Sequence, residues 1–158
     1  MKNALKDDTL AQMEKIACIL KKAGKLYLSS RGRSGIHEVL RSTYAIYWVL
    51  KRRGKISRQK RLLRTAAGVS ANPSRRLSDL ILTIAAKDCD RRDRHRWKKF
   101  IEAAFQRRIH PKTLIDELQA LRGVNNALAQ WVDPTRNADE LPGQVVISND
   151  EISDTARP

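Results

Sequence analysis

Arginine and lysine side chains are concentrated in two stretches. They are the residues of this sequence that most clearly indicate a binding chemistry. Residues 31–64 contain eleven cations and one acid, Glu38, and residues 87–112 have a net charge of +6. Arginine outnumbers lysine in both stretches, and its planar guanidinium makes two-pronged hydrogen bonds to phosphate oxygens. These residues therefore predict the binding of a phosphate-rich polyanion.

The cations of both stretches lie on helices whose opposite side is apolar. At 100° per residue, Trp97, Phe100 and Ile101 share an apolar arc, and most cations of residues 90–108 point away from it. The segment 57–67 has the same pattern, with a basic turn at 51–55 before it. We therefore predict twelve nucleic-acid-binding side chains: Arg52, Arg53, Lys55, Arg58, Lys60, Arg61, Arg64, Arg91, Arg92, Arg96, Lys98 and Lys99.

Sequence-specific binding would also need side chains that contact base edges. Two Gly-Val turns, within 62–70 and 118–125, give weak matches to a helix-turn-helix. In both matches, the position four residues before the glycine holds a larger side chain than the small residue expected there. Pro73 further weakens the first match. The second match would present three candidate base-reading side chains, whose amides can pair with adenine edges: Asn125, Asn126 and Gln130.

Signatures of enzymes, metals and cofactors are mostly absent from the sequence. There is no glycine-rich phosphate loop and no Cys-x-x-Cys, and the histidines and cysteines lack zinc spacing. Asp88, Asp90 and Asp93 could suggest a metal-dependent nuclease, but arginines are interleaved with them. They are better interpreted as acids that stabilise a helix start. We therefore predict a binding protein without catalytic residues, metal or cofactor.

The elements that must position these side chains are helices, because apolar residues recur at helical spacing along most of the chain. We predict an all-α fold with one compact domain over residues 1–132. A strand over 44–50 remains an alternative, because that segment is rich in β-branched and aromatic residues. Ser57 and Ser74 are candidate N-caps, and Gly68 is a candidate C-terminal stop. The domain would contain about six helices, drawn from the segments 5–27, 36–50, 57–67, 75–87, 90–108, 112–122 and 124–132.

The first helix has two interpretations. Leu10, Met13, Ala17, Leu20, Gly24 and Tyr27 repeat with 3-4-3-4-3 spacing, and Ile16, Ile19 and Ala23 widen this stripe. The stripe is typical of a core helix in a bundle. It could instead form a homodimer interface through residues 5–27, although it is shorter than a convincing coiled coil.

The end of the chain differs in charge from the rest. Residues 133–158 have a net charge of −4 and hold three of the five prolines, against a net +19 for residues 1–132. This composition predicts a disordered acidic tail that competes weakly with phosphates for the basic body. Cys18 and Cys89 are expected to be buried, reduced thiols. Without a secretory signal or a membrane-length apolar run, the sequence predicts a cytoplasmic protein.

One region resembles a known group of proteins. The pattern Arg94-x-Arg96-Trp97, Ala103-Ala104, 111–118 and Gly-Val-Asn-Asn-Ala at 123–127 is similar to that of short basic proteins from bacterial plasmids and integrated elements. The resemblance covers about residues 88–128, a quarter of the chain. It implies a bacterial, cytoplasmic setting and no particular activity.

These observations predict a DNA-binding protein that acts in regulation or maintenance of a bacterial or mobile genetic element. Electrostatic docking of basic helices on phosphates would supply most of the affinity. One alternative is an RNA-binding or ribosome-associated protein, because sequence-specific RNA recognition often stacks exposed aromatic rings on unpaired bases and this sequence has several aromatic residues. Another is an adaptor or inhibitor that binds an acidic protein surface, with Trp131 as an exposed anchor.

Overall fold

The computed structural model describes residues 4–30, 32–70, 72 and 75–132, with side chains from Thr9 onward. This part of the chain is all-α, as the sequence predicts, and contains no strand. The segment 44–50 is the second half of a long helix, so the strand alternative is wrong. The described residues form seven helices: α1 (Ala4–Ser29), α2 (Arg33–Arg53), α3 (Ile56–Ala67), α4 (Leu77–Ala85), α5 (Arg91–Gln106), α6 (Leu114–Ala120) and α7 (Val124–Val132).

The two longest helices, α1 and α2, pack side by side and provide much of the core. α1 also contacts α3 and α4, and α2 contacts every helix from α3 to α6. Met13, Ala17 and Leu20 are buried, so the heptad-like stripe of α1 faces the core of its own chain. Ile19 departs from the prediction, because it is 50% exposed and lies outside that stripe. α1 is therefore a core helix.

A close approach between α1 and α4 depends on Gly24. A Cβ atom at this position would lie 1.9 Å from the carbonyl oxygen of Ala85. That oxygen belongs to the backbone and cannot move aside as a side chain could. Only glycine therefore fits between these two helices without displacing one of them.

We expect Gly24→Ala to destabilise the fold by about 3 kcal/mol, near the upper end of overpacking effects. Chemical denaturation followed by circular dichroism measures this change. Lys25→Ala, on the exposed side of the same helix, is the control and should change stability little. A gain of about 1 kcal/mol for Gly24→Ala, as helix propensity alone would give, would contradict this packing.

The helix ends follow the sequence signals only in part. Gly68 ends α3 in a left-handed conformation with φ +66°, as predicted. Ser57 is not the N-cap of α3, because Lys55 holds that position with φ 48° and the helix has already begun at Ile56. α4 begins at Leu77 after Arg76, and the predicted cap Ser74 lies outside the described residues.

Polar contacts fix α5 against α4. α5 begins after its N-cap Asp90, which accepts a hydrogen bond from the backbone N–H of Arg92 at 2.7 Å. Residues 86–90 therefore form the connection between the two helices. The hydroxyl of buried Ser78 donates to a carboxylate oxygen of Glu102 at 2.5 Å. The ammonium group of Lys98 lies 2.9 Å from Asp79 Oδ2. These contacts set which side of α5 faces outward.

The two cysteines are both free thiols, as predicted, but they are not both buried. Cys18 is exposed on α1, and Cys89 is half-buried in the α4–α5 connection. Burial raises the pKa of the Cys89 thiol, and the nearby Asp93 carboxylate adds to this rise. The Cys89 thiol is therefore held in its neutral form at physiological pH.

Two further expectations concern membrane-spanning helices and the acidic tail. None of the helices built from described residues combines the length and the apolar character that crossing a bilayer requires. The predicted acidic tail, 133–158, lies outside the described residues.

Candidate nucleic-acid interface

The exposed face of α3 borders a groove of about 310 Å³, which we call the α3 groove. Its walls carry four cationic side chains, Lys60, Arg61, Arg64 and Arg75, together with Ser57, Asn72 and Leu80. Ser57, Lys60, Arg61 and Arg64 recur at helical spacing and so share one side of α3. Among the described residues, no acid borders this groove.

Arg75 joins the α3 groove to a second groove. The Lys60 ammonium group donates a hydrogen bond to the carbonyl oxygen of Arg75 at 2.8 Å. This contact ties the segment before α4 to the side of α3. Arg75 is exposed and borders both grooves.

The second groove, the α5 groove, has a volume of about 820 Å³ and lies along the first turns of α5. Asp79 is its one acidic side chain among the described residues, and it is paired with Lys98. Five arginines and one histidine border this groove: Arg75, Arg91, Arg92, Arg94, His95 and Arg96.

Arg91, Arg92 and Arg94 stand at the end of α5 where a helix least favours positive charge. The N-terminal end of a helix carries partial positive charge, so cations there lower its stability. Asp90 and Asp93 offset only part of this repulsion, and Asp93 does so by a 2.5 Å ion pair with Arg96. A ligand with negative charge would relieve the remaining repulsion.

A third groove of about 760 Å³, the α7 groove, lies between the start of α2, α5 and the α6–α7 connection. Arg96 borders it as well as the α5 groove. The guanidinium of Arg96 donates a hydrogen bond to Asn125 Oδ1 at 3.3 Å, in addition to its ion pair with Asp93. The polar walls include Arg33, His37, Arg96, Arg122, Asn125 and Asn126.

Arg75 borders both the α3 and α5 grooves, and Arg96 borders both the α5 and α7 grooves, so we treat the walls of the three grooves as one surface. We call this surface the basic track. Among the described residues that border it, the only acids are Asp79 and Asp93, and each is paired with a cation. Ten cations line the basic track: Arg33, Lys60, Arg61, Arg64, Arg75, Arg91, Arg92, Arg94, Arg96 and Arg122.

Six of the twelve predicted phosphate contacts line the basic track, namely Lys60, Arg61, Arg64, Arg91, Arg92 and Arg96. The other six, Arg52, Arg53, Lys55, Arg58, Lys98 and Lys99, do not. Some of these have partners inside the protein. The Arg52 guanidinium lies over the Trp48 ring at 5.5 Å, and Arg53 donates to Gln12 Oε1 at 3.2 Å. Lys98, with a side chain only 20% exposed, is paired with Asp79.

Four cations of the basic track were not among the predicted contacts: Arg33, Arg75, Arg94 and Arg122. Three of them lie at or beyond helix ends, where helical periodicity carries no information. Arg94 lies within α5, near the boundary between its apolar and polar sides. Arg33 and Arg94 lie within the two basic stretches, whereas Arg75 and Arg122 lie outside both, and no signal in the sequence pointed to these two.

The aromatic side chains are largely packed inside the protein. Tyr44 is buried and donates its hydroxyl to the carbonyl oxygen of Ile109 at 2.5 Å. Trp97 borders the α7 groove but is only 4% exposed, and its ring makes an edge contact with Tyr27. Trp131 is half-buried, with its ring stacked on Phe100 at 5.3 Å. Trp131 is therefore a partly packed residue and not a fully exposed ring.

The two helix-turn-helix matches have different outcomes. The first is wrong, because α3 ends at Ala67 and α4 begins only at Leu77. In the second, three residues separate α6 from α7, which is a tight connection. Asn125 and Asn126 lie at its start and border the α7 groove, whereas Gln130 is exposed farther along α7.

Arg122 adopts a conformation that normally favours glycine. It follows the last turn of α6 with φ 59°, and its N–H bonds to the carbonyl of Gln119 at 3.0 Å. The N–H of Gly123 bonds to the carbonyl of Leu118, which completes a Schellman motif. Arg108 holds the same position after α5 with φ 57°, but it does not border the basic track.

The Arg108 and Arg122 positions provide a matched pair of substitutions. We expect Arg122→Gly and Arg108→Gly each to stabilise the fold by about 1 kcal/mol, because glycine relieves the left-handed backbone. Only Arg122→Gly should weaken binding to duplex DNA, by about 5- to 10-fold at 0.1 M salt. Thermal unfolding and fluorescence anisotropy measure the two effects. Equal affinity of both variants would remove Arg122 from the interface.

Comparison with protein-family models, with curated proteins and with solved structures gives no match to this chain.

Proposed function

We propose that this protein binds duplex DNA by laying the phosphate backbone along the basic track. The observation that carries this proposal is that ten cations border three grooves, of which neighbouring ones share Arg75 or Arg96. Arginine and lysine on such a surface replace the counterions condensed around DNA, and the release of those counterions drives binding. This electrostatic contribution does not depend on base sequence.

The packing of the aromatic rings favours a duplex over an unpaired strand. Proteins that bind single strands stack successive bases on exposed aromatic side chains. Trp97 is the one tryptophan, tyrosine or phenylalanine among the described residues of the track, and its ring is almost fully buried. The track therefore offers phosphates many cationic partners, whereas the large aromatic rings that stack best on unpaired bases are packed away from its surface.

The biological setting that we propose is regulation or maintenance of a bacterial or mobile genetic element in the cytoplasm. It is supported by the resemblance of residues 88–128 to short basic proteins of plasmids and integrated elements. We further propose that a homodimer formed through residues 5–27 would use the outer side of α1. Ile19 and Leu26, at 50% and 43% exposure, lie on the surface there.

The proposal is tested by anisotropy titrations with a labelled 20-base-pair DNA duplex, single-stranded DNA, duplex RNA and single-stranded RNA. Each titration is repeated between 50 and 300 mM salt. We expect the DNA duplex to bind most tightly, with a log–log salt slope as steep as about −9 if all ten cations contact phosphates. Tighter binding to single-stranded RNA would favour the RNA-binding alternative. Salt-independent or undetectable binding to every nucleic acid would contradict the proposal.

A further inference from the structure

The outer face of α7 carries three uncharged polar side chains. Ala127 is buried and Trp131 half-buried on the inner side of the helix, which packs against α5. Asn125, Asn126 and Gln130 are all exposed. At 100° per residue these three amides share an arc of about 140° on the outer side. α7 thus presents three exposed amides on its outer side.

These amides are not the side chains that would best stabilise an exposed helix. Asparagine has a lower helix propensity than alanine, lysine or glutamate. α7 contains no charged residue, although 31% of the residues in the chain are charged. An amide instead combines a donor and an acceptor in one planar group. That pair matches the hydrogen-bonding edge of adenine in the DNA major groove.

The amide face adjoins the cations that would hold phosphates. Asn125 and Asn126 border the α7 groove together with Arg96 and Arg122. Arg96 also donates a hydrogen bond to Asn125 Oδ1 at 3.3 Å. Phosphate contacts fix the position of a protein on DNA, and base contacts supply its sequence preference. The α7 groove brings both kinds of side chain to the same end of the basic track.

The connection between α6 and α7 holds this face in a defined orientation. A seven-residue helix is followed by three residues and then by the nine-residue α7. The Schellman hydrogen bonds at Arg122 and Gly123 fix the direction in which α7 leaves the turn. In helix-turn-helix proteins the first residues of the second helix contact base edges, and Asn125 and Asn126 occupy that place here.

We infer that α7 reads base edges in the DNA major groove, with Asn125, Asn126 and Gln130 as the specificity-determining side chains and adenine as the base that they recognise. The inference rests on the proposed function and deepens it. The basic track provides affinity for any duplex, and α7 provides preference among sequences.

Selection from a pool of random-sequence DNA duplexes tests this inference on the full chain. We expect the wild-type protein to enrich a motif that contains adenines, and to bind it at least 10-fold more tightly than a scrambled duplex. Asn125→Ala/Asn126→Ala removes no cation of the basic track, so its salt slope with the scrambled duplex should equal that of the wild type. It should lose roughly 5- to 150-fold in preference for each adenine contact removed.

A matched control removes an amide elsewhere. Gln106→Ala changes an exposed position on α5 that does not border the basic track, and it should keep the enriched motif. Circular dichroism melting confirms that both variants are folded. Salt-dependent binding with no enriched motif would overturn the inference and leave the proposed function standing. The same motif from the wild type and from Asn125→Ala/Asn126→Ala would also overturn the inference. Absence of duplex binding would overturn both.

Discussion

Replacing Arg61, Arg75 and Arg92 with glutamine will weaken binding to duplex DNA by on the order of 10²- to 10³-fold at 0.1 M salt. All three arginines are exposed. Arg61 borders the α3 groove, Arg92 borders the α5 groove, and Arg75 borders both. Each phosphate contact multiplies the binding constant by about the inverse of the molar salt concentration, raised to the power 0.9. Losing three contacts should also flatten the log–log salt slope by about 2.7. Anisotropy titrations between 50 and 300 mM salt measure both quantities.

The control for this variant has the same change in net charge. Lys87, Arg108 and Lys112 are exposed and do not border the basic track. Their joint replacement by glutamine should weaken binding only a few-fold and leave the slope nearly unchanged, because distant charges are screened by salt. Equal losses in the two variants would mean that net charge, and not the track, governs affinity.

A comparison within α3 sharpens the test. Arg58 and Arg61 are both exposed on this helix, but only Arg61 borders the α3 groove. Arg61→Gln should therefore lower affinity at 0.1 M salt about 8-fold, and Arg58→Gln should have little effect. A larger loss for Arg58→Gln would place the DNA on the other side of α3.

Trp97→Ala will destabilise the fold by roughly 3–5 kcal/mol, because it removes a large buried ring and leaves a cavity. Trp97 is 4% exposed, and its ring packs edge-on against Tyr27 with 5.4 Å between the centroids. For a domain of this size the loss corresponds to a melting temperature lower by roughly 10–20 °C. Urea denaturation and thermal melting measure the effect.

Arg96→Ala is the control for Trp97→Ala at the neighbouring position. It removes a partly exposed ion pair with Asp93 and should change stability by less than about 1 kcal/mol. It should nevertheless weaken DNA binding, because Arg96 borders two grooves of the track. If Trp97→Ala instead kept its melting temperature and lost binding, the Trp97 ring would be a stacking group, which would favour the RNA-binding alternative.

Local sequence patterns were sufficient for most elements of this fold. The spacing of Trp97, Phe100 and Ile101 predicted one side of α5, and all three side chains are buried. Gly68 predicted the end of α3, because glycine adopts the left-handed conformation without steric cost. Such signals are readable because helical geometry depends on residues three or four positions apart.

Predictions about single side chains failed where a distant residue decides the outcome. Lys98 lies on the polar side of α5, yet Asp79, from the preceding helix, takes its ammonium group into an ion pair. Ile19 extends the apolar stripe of α1 in the sequence, yet the neighbouring helices do not cover it. The sequence contains no local signal for the Lys98–Asp79 ion pair or for the exposure of Ile19.

The sequence by itself determined that this protein is helical, that its body is strongly basic and that its cations occupy the outer sides of helices. The tertiary structure alone decided which of those cations meet. Arg33, Arg75 and Arg122 lie far apart along the chain and join one surface because α2, α4, α5 and α7 pack around a shared core. Periodicity describes geometry within one helix, whereas the basic track depends on how the core side chains orient several helices relative to one another.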